Sequence, residues 1–227
     1  MINIDDIPKN NAEIIRSSVL FRNLKSEEIN HAMDLLDAEI RTYGKGEFLR
    51  RPFSGAGKFG LVLSGVVQVC NDDIEGNRII MAEVTSGKTF GESLCFLEIK
   101  DSPVFIYSSE PSEILWLSVR ALFGPDEDEL CTGLRKQFTA MLALRALAMN
   151  DRIQVLSKIK LRDKLLTYLN QQSEAAGSLT FQIPVNRDDL AAYIGTNRSA
   201  LSRELSQMKK EGLIDYYKNT FRIFKSR

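Results

Sequence analysis

From about Pro125 to Ile159 the chain has no glycine after Gly133 and no further proline, and its apolar residues recur at helical spacing. One stripe holds Leu130, Leu134, Met141, Leu144, Ala148 and Val155, and a second beside it holds Phe138, Leu142, Met149, Ile153 and Leu156. A helix this long, apolar over much of its circumference, needs two surfaces to bury it. One is its own fold; the other is a copy of itself in a two-stranded coiled coil, the common way to close a homodimer. Leu134, Phe138, Met141, Leu144, Ala148 and Val155 are the expected dimerisation residues. Gln137, Arg145 and Arg152 interrupt a strict seam, which leaves a long core helix of a monomer as the alternative.

The sequence on either side differs in texture. Between Asn11 and Ala38 helical spacing is broken around Phe21 to Ser26, giving short lead-in helices with Ser26 as the expected cap of the second. After Arg41, short apolar runs alternate with glycines: Phe48-Leu49, Leu61-Val62-Leu63, Val66-Val67-Gln68-Val69, Ile79-Ile80-Met81, Phe90 and Ile114-Leu115-Trp116-Leu117. That pattern predicts a compact antiparallel barrel or sandwich. Leu161 to Gln172 predicts another amphipathic helix ended by Gly177, followed by a strand over Leu179 to Ile183. The fold class is α+β, with expected divisions at residues 1–124, 125–159 and 160–227.

A balanced composition, 30 Lys and Arg against 30 Asp and Glu, conceals a split. Residues 1–151 carry 16 basic and 23 acidic side chains, whereas 152–227 carry 14 and 7. A basic segment joined to an acidic body suits a nucleic-acid module attached to a sensing or oligomerising one. The basic part contains Asn186 to Asn197, a short helix with Asn186 as cap and Gly195 as its left-handed end, followed at once by a helix from Arg198 to Lys210. Leu201, Leu205 and Met208 form the inward face of the second helix, while Arg198, Ser199, Ser202 and Arg203 share the other face within two turns. Such a helix-turn-helix presents the start of its second helix to base edges in the major groove, where an arginine fork can bond guanine O6 and N7 together. Beyond Gly212, alternation about Lys218-Asn219 predicts a hairpin, or wing. Thr196, Asn197, Arg187 and the wing-tip Lys218 complete the expected DNA-facing set.

Other classes fit poorly. A single histidine, no Walker-type glycine loop and no metal-ligand spacing argue against an enzyme. Cys70, Cys95 and Cys131 are odd in number and dispersed, so packed thiols are expected rather than disulfides or a zinc site. No run nears the roughly 18 apolar residues of a membrane span, and Met1 to Asp6 lacks the features of a signal segment, so a cytoplasmic protein without membrane contact is expected.

With these residues in view, the chain resembles the bacterial regulators of the CRP/FNR family. The resemblance rests on Lys45-Gly46-Glu47, Leu63-Ser64-Gly65-Val66-Val67, Gly76, Gly87, Phe90-Gly91-Glu92, the long helix and the terminal winged helix. It implies a β-roll (a cyclic-nucleotide-binding-like jelly roll), a parallel homodimer through the long helix, an inverted-repeat operator in double-stranded DNA, and RNA polymerase as a further partner. It also implies that Arg198, Ser199 and Arg203 contact bases; Ser199 stands where the family often has Glu, so a different base preference is expected.

The same resemblance places the effector pocket at Phe90, Gly91, Glu92, Cys95 and Ser102. Cyclic-nucleotide binders follow their Phe-Gly-Glu with Arg-Ser for the cyclic phosphate, and here the later pair is Ser102-Pro103, with Lys100 the only cation in Ser93 to Ser109. Cyclic AMP is therefore disfavoured, and Glu92 reads better as a structural carboxylate. An iron–sulfur cluster lacks its fourth cysteine; haem would have to use Cys95 or His31 and is also disfavoured, His31 reading more simply as a helix-surface residue. The effector is thus an unidentified small molecule. The competing expectation is a cyclic-nucleotide-binding or protein-docking module whose winged helix meets a partner other than DNA.

Overall fold

The computed structural model describes residues 2–55, 57–124 and 128–224. The chain divides into two compact units, residues 1–143 and 144–227.

The first unit opens with α1 (Lys9–Ser17) and α2 (Ser26–Leu35), then β1 (Glu39–Tyr43), β2 (Phe48–Arg50), β3 (Phe59–Ser64), β4 (Val66–Asp72), β5 (Arg78–Thr85) and β6 (Thr89–Phe90). A short α3 (Glu92–Phe96) precedes β7 (Phe105–Ser108), β8 (Ser112–Leu117) and the start of α4 (Glu129–Leu156). The strands form two antiparallel four-stranded sheets, ordered β1-β8-β3-β6 and β2-β7-β4-β5, as in a roll. β3 and β8 are apolar without alternation because both their faces are covered. Val62, Ile114 and Trp116 look into the roll with Val67, Val84, Phe90 and Ile106. Leu61, Leu63, Leu115 and Leu117 look outward into a larger core supplied by α1, α2 and α4.

Helix α4 divides the residues expected at the dimer contact. Leu134, Phe138 and Met141 are buried in that outer core, with the Phe138 ring 5.8 Å from both Phe59 and Phe96. Val155 is buried in the core of the second unit. Of the residues expected at a dimer contact, only Leu144 and Ala148 are exposed. From residue 143 to 154 the helix is exposed all round, and Leu142, Ala146, Met149, Ile153 and Leu156 run along that stretch in the four-three spacing of a coiled-coil seam. The expected helix start at Pro125 lies outside the described residues, and the helix stops three residues short of Ile159.

In the second unit, α5 (Leu161–Ala176) and β9 (Thr180–Gln182) precede α6 (Arg187–Ile194), α7 (Arg198–Lys210), β10 (Ile214–Tyr217) and β11 (Thr220–Ile223). The strands form one antiparallel sheet, ordered β10-β11-β9. Leu165, Leu169, Leu190, Leu201, Leu205, Met208 and Phe221 make a single core beneath the two helices of the turn. Among the described residues no helix is long and apolar enough to cross a membrane.

At the amino-terminal end the expected cap is displaced by one residue. Ser26 is already helical, its hydroxyl accepts from Arg16 at 2.7 Å, and the Lys25 amide donates to the Glu28 carboxylate at 2.7 Å.

Candidate nucleic-acid interface and effector cleft

Two local signals build the helical pair. The Asn186 side chain accepts from the amides of Asp188 and Asp189, so two donors at the open end of α6 are satisfied. At the other end Gly195 adopts φ +76, the left-handed conformation that ends a helix cheaply only when no Cβ is present. Asn197 caps α7, its side chain accepting from the Ala200 amide at 2.9 Å and from the Ser199 hydroxyl at 2.7 Å.

With Leu201, Leu205 and Met208 turned into the core, the opposite face of α7 exposes Arg198, Ser199, Ser202 and Arg203 together. Arg198 reaches back 2.8 Å to Asp188 on α6, an ion pair more than half open to solvent on both sides. Arg203 has no hydrogen-bond or ion-pair partner among the described residues. The start of α6, Arg198 and the wing tip enclose a cleft of about 750 Å³ lined by Asp188, Tyr217, Lys218 and Asn219. Lys218 is exposed at the two-residue turn with its ammonium 5.6 Å from the Tyr217 ring, and Tyr217 is itself 75% exposed. Tyr217 was not anticipated; its alternation with inward Ile214 and Tyr216 was confused by two successive tyrosines.

Arg187 is the correction in this group. Its guanidinium lies 4.9 Å from the Phe221 ring centroid and 5.2 Å from that of Tyr216, and it donates to the Lys218 carbonyl at 2.7 Å. Its Nη1 is sealed from solvent, and burial pushes its pKa down. Arg187 therefore pins the wing to α6 while lining the same cleft as Arg198 and Lys218. Below the pair, Arg162 forks onto Glu211 and also bonds Glu204, which holds the Glu211 carboxyl below the usual range.

Four of the five residues expected at the effector pocket are buried. Phe90 is fully buried and meets Trp116 edge-on at 5.4 Å, so it is core. Glu92 is 2% exposed and accepts from the Thr89 hydroxyl. Ser102 is buried too; its hydroxyl accepts from the Val104 amide and its carbonyl from the Phe53 amide. Pro103 adds no N–H, so the position that a cyclic phosphate would need lacks a backbone donor and any cation. Cys95 donates its thiol to the Gly57 carbonyl at 3.4 Å, and burial pushes that thiol's pKa up, away from the thiolate a metal would want. Among the described residues no group of three or more His, Cys, Asp or Glu could hold a metal ion.

One residue that sequence reasoning passed over is a buried arginine beside a cleft. Arg50, at the end of β2, is 6% exposed; its Nη2 donates to the Lys58 carbonyl at 2.6 Å and its Nη1 has no acceptor. Gly91, at φ +80, approaches so closely that a Cβ there would stand 3.2 Å from Nη1. Arg50 borders a cleft of about 450 Å³ lined also by Arg41, Tyr43, Phe48, Lys58 and Trp116.

Comparison with known proteins agrees with both units. The family model for the cyclic nucleotide-binding domain matches residues 40–123, and that for the Crp-like helix-turn-helix domain matches residues 160–225. The cyclic AMP receptor protein of Thermus thermophilus is 27% identical over 203 residues, covering 88% of this chain and 89% of that protein. Among solved structures, the c-di-GMP responsive global regulator CLP of Xanthomonas campestris superposes with a TM-score of 0.55 at 20% identity, over 89% of this chain and 100% of that one. DNR from Pseudomonas aeruginosa gives 0.52 at 21% identity, over 97% and 96%. These two structures share the fold.

Proposed function

Because the chain belongs to the CRP/FNR family of transcription regulators, we propose that it acts as a homodimer, binds an inverted-repeat operator in double-stranded DNA, and is controlled by a small molecule held in its β-roll. Residues 1–124 sense, 125–159 dimerise and 160–227 bind DNA in this reading, as a cytoplasmic protein with RNA polymerase as its further partner. The carrying observation is the outward cluster at the start of α7: Arg198, Ser199, Ser202 and Arg203 all solvent-facing on a helix whose other face is core. Two arginines within two turns suit guanine edges, and small serines between them allow close approach to the groove. Thr196, Asn197 and Lys218 flank them where phosphates would lie, and their positive balance makes binding salt-dependent.

The second half of the reading is dimerisation through the open seam Leu142, Ala146, Met149, Ile153 and Leu156. A two-fold axis along α4 then sends two copies of α7 into successive major grooves, roughly 34 Å apart. Selection of bound duplexes from a random pool, followed by footprinting, tests this directly. An inverted repeat protected over both halves is expected, and Arg198→Ala with Arg203→Ala should abolish selection while leaving the fold intact. Protection of one half-site, or unchanged selection by the double variant, would contradict the proposal and favour a winged helix that docks a protein partner.

A further inference from the structure

The buried guanidinium of Arg50 leaves a charge unanswered. Among the described residues no carboxylate lies within ion-pair distance of it, its acceptor is the neutral Lys58 carbonyl, and Nη1 has none. A buried cation in that condition is costly, because the water it gave up is not replaced by an opposite charge. The remaining cations of the neighbouring cleft are differently placed. Arg41 forks onto Glu39, and Lys58 pairs with Asp37 at 2.8 Å, while Arg51 is exposed and lies over the Phe48 ring. The cleft wall thus carries four cations, Arg41, Arg50, Arg51 and Lys58, against the single carboxylate of Glu39. Tyr43, Phe48 and Trp116 supply flat apolar surface beside them, with the Trp116 indole fixed by its hydrogen bond to the Tyr43 hydroxyl at 2.9 Å.

We infer that this cleft binds a small organic oxyanion, a carboxylate or phosphate carried on a flat apolar body, and that Arg50 is the residue that recognises its charge. An oxyanion offers two charged acceptors in the plane of the fork, where the Lys58 carbonyl offers one neutral acceptor. Swinging the guanidinium onto such a ligand releases that carbonyl and with it the turn that leads into β3. The proposal rests on the reading of the roll as an effector domain. It differs from the expected pocket in its source of charge: a strand residue more than 40 positions before Ser102-Pro103 does what that pair cannot.

The chain's only tryptophan, Trp116, lines the cleft and reports on it. Full-length protein is titrated with benzoate, phenyl phosphate and neutral benzamide while Trp116 emission is followed. Saturable change with benzoate or phenyl phosphate, none with benzamide, and at least a tenfold loss of affinity in Arg50→Gln are expected; which anion binds tighter separates a carboxylate from a phosphate ligand. Equal binding of benzamide, no saturation with either anion, or unchanged affinity in Arg50→Gln overturns the proposal. Should Arg50→Gln fail to melt cooperatively, Arg50→Lys keeps the charge and removes the fork. It should weaken anion binding about tenfold, and unchanged binding again overturns the assignment. Operator binding is measured on the same preparations. Intact operator binding without any anion response defeats the anion site alone, whereas an anion response without operator binding defeats the regulator reading and leaves the site standing.

Discussion

Arg187 and Arg198 are eleven residues apart, have the same side chain, and have opposite fates. Arg198 extends to an exposed carboxylate, while Arg187 folds over Phe221 and Tyr216 and donates to the Lys218 carbonyl. Arg187→Ala should therefore destabilise the second unit by about 1–2 kcal/mol through lost cation–π and hydrogen-bond contacts. Thermal melting of the isolated variant checks this, and Arg198→Ala should leave the melt unchanged because an exposed pair contributes little. A second expectation concerns Tyr168, whose phenol burial pushes from its ordinary value of 10 up to about 12. The folded state favours the neutral phenol, so its contribution is complete below pH 10 and is lost as pH rises through that interval. Alkaline titration by tyrosinate absorbance, compared with Tyr168→Phe, should show that loss only in the parent chain. The arginine faces of α7 were legible from periodicity alone. Arg187 and Arg50 were not, because what buries each comes from distant segments: the wing aromatics for one, Gly91 and Lys58 for the other. The only local clue to Arg50 was the doublet Arg50-Arg51, since successive residues of an extended strand point to opposite faces.

At the scale of elements, the helix-turn-helix was readable because its ends are written in the chain. Asn186, Gly195 and Asn197 each do the capping that their residue type favours. Asn186→Ala should cost about 1 kcal/mol by orphaning two amides. Gly195→Ala should cost about 1–2 kcal/mol for a left-handed residue with a Cβ, which would also press on Leu156 at 3.4 Å. Denaturant unfolding measures both, and an unchanged midpoint for either would count against the capping argument. Strands β3 and β8 were found because two-sided burial makes continuous apolar runs. β1 and β7 were not singled out: β1 alternates with the charged Glu39 and Arg41, and β7 is a four-residue strand among polar loops. Helix α3 is only five residues long and too short for any period to show. For α4 the sequence displayed two stripes but not that the first half of the helix would bury members of both, Leu134 and Met141 from one and Phe138 from the other. Phe138 fills the space among Phe59, Phe96 and Phe123, so the second stripe also enters the core at its start.

For the whole molecule, the proposed assembly rests on the open seam. Met149 and Ile153 are 61% and 62% exposed, and a pair of such residues on a single helix is the strongest case for a partner helix. Met149→Asp with Ile153→Asp should convert a dimer to a monomer in sedimentation and lower operator affinity by at least a hundredfold, with each subunit still folded. Dimeric behaviour of that variant would place the contact elsewhere. In a dimer, the ion pair between Asp188 and Arg198 occurs twice, once above each half of the operator. Each arginine is then held by a carboxylate until a base edge offers it a better fork, and a half-site that lacks such a base leaves the latch shut. In the proposed dimer both latches open on one duplex, so the discrimination of a single contact enters twice and an operator mismatched in both halves is penalised by the square.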